Sequence, residues 1–422
     1  MPNLTDTLTE NAENLGTLQV SVVSSLGLVP VENATVTISY TGVPEQIIES
    51  LTTDNSGQTP TISLPAPPIE LSLDPDATIQ PYSEYNITVT AEGYEPVSVS
   101  GSELLPDRLS LQPIVMNPIE TTNEDEKIVT IPAHTLFGEY PPKIPEEEIK
   151  PMAETGEIVL SRVVVPEYVI VHDGAPSDST APNYWVRYKD YIKNVASSEI
   201  YSTWPEAAIY ANILAIMSFT LNRVYTEWYR NQGYNFTITS STAYDQKWIY
   251  GRNIFRNIDY LVDSIFANYL ARPGVRQPIF TSYCDGNRVT CNGLSQWGSK
   301  YLADQGYSAI EIIRYYYGND MYIATASIIS GVPSSYPGYD LTIGSSGDKV
   351  RQLQNQLNRI ARNYPAIPTI TADGIYGPAT AESVRTFQRI FNLPQTGVTD
   401  YPTWYEISDI YVGVSRIAEP GT

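Results

Sequence analysis

The chain reads as three folded units in series: an all-β sandwich, a central α+β unit and a C-terminal three-helix unit. Three observations predict this. Apolar and polar residues alternate with period two up to about residue 118, and helical periodicity takes over from about Val163. Two proline-containing stretches, 119–162 and 331–340, separate the parts. The chain has 422 residues, 42% of them hydrophobic, which is enough for several domains with cores of their own.

Residues 1–15 read as a flexible N-terminus. Over 16–118, "LQVSVVSS", "ATVTISYTG", "YNITVTAEGYEPVSVSG" and "LSLQPIVM" are rich in Val, Ile, Thr and Tyr. Pro, Gly, Asn and Asp turns separate them, which predicts a small β-sandwich. Segment 119–162 contains "IETTNEDEKIVTIPAHTLFGEYPPKIPEEEIKPMAETGE". Proline and acid dominate it and no period is visible. It reads as an exposed linker, longer than a compact domain needs and open to processing.

Over 163–330, "VVVPEYVIVHDG" reads as extended strand. "DYIKNVASSEIYSTWPEAAIYANILAIMSFTLNRVYTEWYR" reads as two helices broken at "YSTWPE". Ile192, Val195 and Ala196 make the first apolar stripe. Ala208, Ile209, Asn212, Ile213, Ile216 and Phe219 make the second. Pro205 stands near its start, where a missing N–H is harmless. "FTITSSTAYDQKW" predicts a strand and loop, "NIFRNIDYLVDSIFANYL" a helix, "IFTSYCDG" a strand, and "GLSQWGSKYLADQGYSAIEIIRYYYG" two short helices. After the 331–340 linker, Val350, Leu353, Leu357 and Ile360 share one helical face, and Val384, Phe387 and Phe391 another. Asp400 is a candidate N-cap for a third helix in "TDYPTWYEI". These make a unit over 341–412, followed by a tail, 413–422.

Charge is segregated. Residues 1–160 carry 25 of the 47 acidic and four of the 25 basic side chains, a net of −21 against −22 for the chain. The acidic third therefore points to a separate job. A nucleic-acid partner is not expected, because no basic stripe exists. No apolar run long enough for a membrane span is found. The start, "MPNLTDTLTENAENLG", lacks the basic and apolar regions of a secretory signal.

Glu199 stands at the end of the first helix among small and apolar neighbours. Either it is solvated at a wet helix end, or it is held between apolar helices with a raised pKa, suited to a general acid. Cys284 and Cys291 flank a loop in which Gly286 and Asn287 can turn the chain. They suit a local disulfide, half a metal site or two free thiols, and pairing across a hairpin is expected. His134 and His172 are the only histidines, too few for a zinc hydrolase with several His ligands.

The stretches "IGSSGDKVRQLQNQLN" and "ITADGIYGPATAESVRTFQRIFNLPQTGVTD", with Trp404 after them, resemble the bacterial peptidoglycan-binding domain. The resemblance implies a module that holds the chain on a glycan–peptide polymer. "YIKNVASSEIYSTWPEAAIYANILAI" and the "GLSQWG" segment resemble the catalytic domain of sporulation protein D, a lytic transglycosylase family. That puts Glu199 on the catalytic acid. Asn212 and Met217 stand where the family usually has Gln and Arg, and no His lies near Cys284, so zinc is not expected. No cofactor is expected either. The sandwich resembles transthyretin-like and carboxypeptidase-regulatory-like modules.

As a whole the chain resembles the clostridial germination-specific spore cortex-lytic enzymes in pre-pro-form. This implies synthesis without a signal peptide in the developing spore and residence in the cortex and coat region. It also implies activation by a subtilisin-like germination protease that cuts within 119–162 or just after, in "GEIVLSRVVVPE". Spore cortex peptidoglycan is then the polymer partner. A glycan cleft needs aromatic faces and neutral hydrogen-bonders, for which Tyr244, Asp245, Gln246, Tyr283, Ser295, Gln296 and Trp297 are candidates. Tyr283 and Trp297 fit equally as core, and Asp245 as a turn residue. Two other functions stay open: an N-acetylmuramoyl-L-alanine amidase, and a non-catalytic wall-binding spore protein in which Glu199 is vestigial.

Overall fold

The computed structural model describes residues 14–26, 28–119, 126–150 and 160–415. The expectations for residues 1–13, for 151–159 and for the tail from 416 onward fall outside the described residues.

The N-terminal unit has two sheets. One is four-stranded, in the order Ile254–Phe255, Leu109–Met116, Leu15–Ser24, Ile62–Pro65, and the other five-stranded, in the order Ile47–Thr52, Thr35–Tyr40, Ser83–Thr90, Val97–Leu104, Lys127–Thr130. The strands are β1 (Leu15–Ser24), β2 (Thr35–Tyr40), β3 (Ile47–Thr52), β4 (Ile62–Pro65), β5 (Ser83–Thr90), β6 (Val97–Leu104), β7 (Leu109–Met116) and β8 (Lys127–Thr130). Strict alternation in β1 buries Leu18, Val20 and Val22. They share one core with Ile114 and with Val36, Ile38, Ile87, Val89 and Val99 of the other sheet. β3, β4 and β8 are too short or too exposed to stand out in sequence.

Two strands cross the boundaries expected from sequence. β8 comes from the 119–162 segment and pairs in parallel with β6. β13 (Ile254–Phe255) comes from the central unit and pairs with Leu111 and Ser110 of β7. For residues 126–150 the reading as an exposed linker is therefore corrected. After β8, residues 131–150, which we call the strap, start in the sheet core at Ile131 and continue against the central unit, with His134, Leu136, Tyr140 and Lys150 buried. Prolines erase the periodicity of this stretch without preventing it from packing.

The sheet unit and the central unit are joined by a fully buried ion pair. Arg252 donates through Nη1 and Nη2 to Glu103 Oε1 and Oε2, both at 2.6 Å, and through Nη2 to Ser197 O at 2.5 Å. Asn253 bonds the Glu103 backbone in both directions, and Trp204 Nε1 donates to Ser72 O. Glu84 stands opposite Glu103 across β5 and β6. Burial first, and the Glu103 charge second, push its carboxyl up to about 7 from 4.5. A folded value above the unfolded one means that Glu84 contributes stability that is complete below about pH 4.5 and is lost as pH climbs through about 7. The Glu84→Gln variant should lose less melting temperature between pH 5 and pH 8 than the parent. Equal losses in thermal melts would contradict this.

The central unit contains β9 (Val164–Val165), β10 (Tyr168–His172), β11 (Asn183–Arg187), β12 (Ile238–Thr239) and β14 (Asn268–Ala271). Later in the chain come β15 (Tyr283–Cys284), β16 (Leu294–Ser295), β17 (Tyr322–Thr325) and β18 (Ile328–Ile329). Its helices are α1 (Tyr188–Glu199), α2 (Glu206–Tyr225), α3 (Arg256–Ile265), α4 (Gln296–Asp304) and α5 (Ala309–Tyr317). Pro205 is the N-cap of α2. By length and composition α2 could cross a membrane, but it is largely buried as the core helix of this unit.

The C-terminal unit has α6 (Asp348–Ile360), α7 (Pro378–Ile390) and α8 (Tyr401–Ser415), which brings the α-helices to eight among the described residues. Asp400 Oδ1 accepts from Thr403 N, so it caps α8. Lys189 on α1 reaches Glu406 at 2.6 Å and Asp409 at 2.8 Å on α8, and Asp263 on α3 at 3.2 Å. Gln58 Nε2 donates to Ile390 O, and Tyr364 OH to Leu28 O, so the sheet unit also touches this end.

Candidate active site

Glu199 is the last residue of α1, and Ile200 after it is extended (φ −137°, ψ 145°). The helix ends because the chain must turn toward Trp204 and Pro205. The Glu199 carboxyl is completely buried. Its Oε1 accepts from the Lys247 backbone N–H at 2.7 Å and its Oε2 from the Tyr283 hydroxyl at 2.6 Å. Burial raises its pKa above the ordinary carboxyl value, against the pull of Lys143, Tyr283 and Lys247 toward the ionised form. Tyr283, on β15, has its own pKa pushed well up by burial and by Glu199, so its hydroxyl stays a donor.

The strap covers this carboxyl. Thr135 donates through N and Oγ1 to Ser198 O, beside Glu199. The Tyr140 ring is buried, and its hydroxyl has no partner among the described residues. The Lys143 ammonium donates to Asp245 O at 2.6 Å and lies 4.5 Å from the Tyr283 ring centre. Burial lowers its pKa, while Glu199 and Asp245 favour its charge. Farther along, Glu146 pairs with Arg223, Glu148 with Arg272, and Lys150 exchanges backbone bonds with Gln277.

Cys284 and Cys291 are bonded, with Cα atoms 6.1 Å apart. The loop they close grips the strap: Arg288, fixed by Asp285, donates to Thr135 O and Gly138 O. Asn287 donates to Pro75 O of the sheet unit.

The other candidates divide. Gln296, first residue of α4, is fully buried, and neither amide atom has a partner among the described residues. An unspent buried amide beside β15 suits a ligand or a bound water. Ser295 caps α4 by accepting from Gly298 N. Tyr244 is half-buried, and its carbonyl accepts from Arg223.

Three other candidates have interior partners in this structure. Asp245 is fully buried and accepts from Arg223, Tyr229 and Thr239. Gln246 is spent on Tyr191, Thr220 and Ile216 O. Trp297 packs against Trp204, with ring centres 4.9 Å apart, and against Tyr201. All three hold the interior together.

His172 bonds Asn183 and Ala175 O and stacks on Phe236. Strap residue His134 stacks on Tyr201, and burial holds its pKa well below the usual value. No group of three or more His, Cys, Asp or Glu that could hold a metal exists among the described residues.

Lys143, Arg223, Arg288 and the Lys247 amide do not stand out in the sequence. Arg223 could have been noticed as the one cation in the apolar run of α2. The Lys247 contribution is a backbone group and carries no side-chain signal.

Comparison with known proteins adds one assignment. Residues 346–407 match the peptidoglycan binding domain family. No curated protein matches the chain. Among solved structures, the Bacillus anthracis TIE protein aligns at 12% identity and TM-score 0.18 over 25% of this chain and 17% of its own. The minor pilin GBS52 of Streptococcus agalactiae aligns at 14% and 0.18, over 26% and 47%. Catechol 1,2-dioxygenase from Acinetobacter sp. ADP1 aligns at 11% and 0.19, over 29% and 60%. This chain spans less than two thirds of each, and TM-scores this low carry no argument. The match to residues 346–407, on the three helices described above, identifies the C-terminal unit as a peptidoglycan-binding domain.

Proposed function

We propose that the chain is the latent form of a peptidoglycan lytic transglycosylase, with Glu199 as its acid and the strap as its inhibitor. The observation that carries the reading is a buried carboxyl with a raised pKa, held by two donors, in a chain with a peptidoglycan-binding domain. A protonated Glu199 gives its proton to the glycosidic oxygen between N-acetylmuramic acid and N-acetylglucosamine. The resulting carboxylate takes the proton of the muramic C6 hydroxyl, which closes the 1,6-anhydro ring. No water attacks, so a second carboxylate is not needed, unlike in two-carboxylate glycosidases. Tyr283 and the Lys247 amide steady the carboxylate between the two steps. The unspent amide of Gln296 suits a sugar acetamido or hydroxyl group.

Latency would come from the strap, whose Tyr140 and Lys143 lie beside the fully buried Glu199. Cleavage by a germination protease on the far side of the strap would open the site. This fits a spore enzyme stored with its polymer, the cortex. The cover is steric, so raising the salt should not activate the intact chain, because screening acts on exposed charges and not on buried contacts.

Product analysis tests the reading. Chain cut between strap and central unit, incubated with cortex peptidoglycan, should release anhydromuropeptides visible by mass spectrometry. Reducing muramic ends would mean a hydrolase, and free peptides the amidase. No product at all would leave a wall-binding protein.

A further inference from the structure

Arg223 projects from α2 toward the strap and is 1% exposed. Its Nε donates to Asp245 Oδ1 at 2.7 Å, and Asp245 is itself saturated by Tyr229 and Thr239. Phe219, Trp228, Tyr229 and Phe280 wall the guanidinium in, with ring centres 4.7 to 5.4 Å from its carbon. The central unit thus fixes one edge of the guanidinium and its surroundings. The outer fork is left for something else. In the latent chain that fork holds Glu146, with Nη1 on Oε2 at 2.8 Å and Nη2 on Oε1 at 2.6 Å.

Among the described residues, the only other ion-pair partner of Glu146 is Lys150, also on the strap at 2.6 Å. When the strap leaves, both go with it. Arg223 then keeps Asp245 and the Tyr244 carbonyl and presents two N–H groups in a sheltered, aromatic-walled pocket. Planar bidentate geometry in such surroundings selects carboxylates. Glu146 lies three residues beyond Lys143, the residue beside Glu199. In an extended, proline-containing segment that is about 9 Å along the cleft, so a polymer bound at Glu199 would pass Arg223.

We propose that Arg223 is a carboxylate-binding subsite of the substrate cleft, and that strap residue Glu146 occupies it in place of a carboxylate borne by peptidoglycan. This rests on the reading of the cleft as a peptidoglycan site. Two sources share the chemistry: the lactyl carboxylate of a muramic acid without peptide, and a carboxylate of an attached peptide.

The test uses the full chain carrying Glu199→Gln, cut between residues 150 and 163, so that bound fragments are not consumed. Calorimetry compares peptidoglycan fragments with peptide, fragments stripped of peptide, and both with their carboxylates capped as methylamides. At least one free-acid form should bind at least tenfold more tightly than its capped form, and which one does so identifies the source. The synthetic strap peptide 139–150 should compete, and its Glu146→Gln form should compete at least tenfold less well. Neither comparison alters the protein, so misfolding cannot imitate the result. Arg223→Gln should abolish the preference and Arg223→Lys restore part of it. Equal binding of free and capped fragments by a chain whose parent cleaves peptidoglycan would overturn the subsite. A clear preference without cleavage by that parent would instead overturn the transglycosylase reading and leave the subsite standing.

Discussion

Replacing Glu199 by Gln in the cut chain is expected to reduce glycosidic cleavage by about 10²–10⁴-fold or more, the range a positioned general acid supplies. Gln fills the same volume. Its carbonyl oxygen can accept from the Lys247 N–H, and its amide can donate to the Tyr283 hydroxyl. Fold and polymer binding should therefore survive while the proton is gone. In the intact chain the same substitution should also change pH behaviour. The folded pKa of Glu199 is raised by burial, so its favourable contribution to stability is present at low pH and is lost as pH rises through the folded value. Gln cannot titrate, so the variant should lose that slope and melt no lower than the parent at neutral pH. Muropeptide release and melting curves at several pH values check both parts. Near-parental release would remove Glu199 from the chemistry.

A second large effect is expected at the junction of the sheet and central units. Glu103→Ala should destabilise the intact chain by about 3–5 kcal/mol, because it leaves the Arg252 guanidinium buried without its counter-charge. Both side chains are at most 1% exposed, so water cannot rescue the orphan. Arg252 also bonds Ser197 O, two residues before Glu199, so the damage should reach the site. Replacing both partners by Met should cost much less than Glu103→Ala alone, since no charge is then stranded. Urea unfolding of the two variants separates these outcomes. A loss below about 1 kcal/mol for Glu103→Ala would mean that Arg252 reaches solvent or another anion.

What could be read in sequence was what repeats locally. The apolar stripes of α1 and α2, their break at Pro205 and the cap at Asp400 all follow from residues within a turn or two of each other. The C-terminal domain was legible from its spaced motif. The strap was not, because its contacts are made to residues far away in the chain: Thr135 to Ser198, Lys143 to Asp245, Glu146 to Arg223. Its prolines also hide any period. Asp245 and Gln246 looked like cleft residues because they are polar in a loop. They are interior because Arg223, Tyr229, Tyr191 and Thr220 converge on them, which only the fold reveals. β13 is two residues long, below any periodic signal, yet it joins two units.

On the proposed reading, one buried carboxyl does the chemistry and the strap alone withholds it. The most direct measurement follows 1,6-anhydromuramic ends released from cortex peptidoglycan by the intact chain and by the same chain cut between residues 150 and 163, side by side at low and high salt. The cut chain should release anhydro ends, and the intact chain almost none, at either salt concentration. Equal release by the intact chain would contradict the cover, and cleavage without anhydro ends would contradict the mechanism.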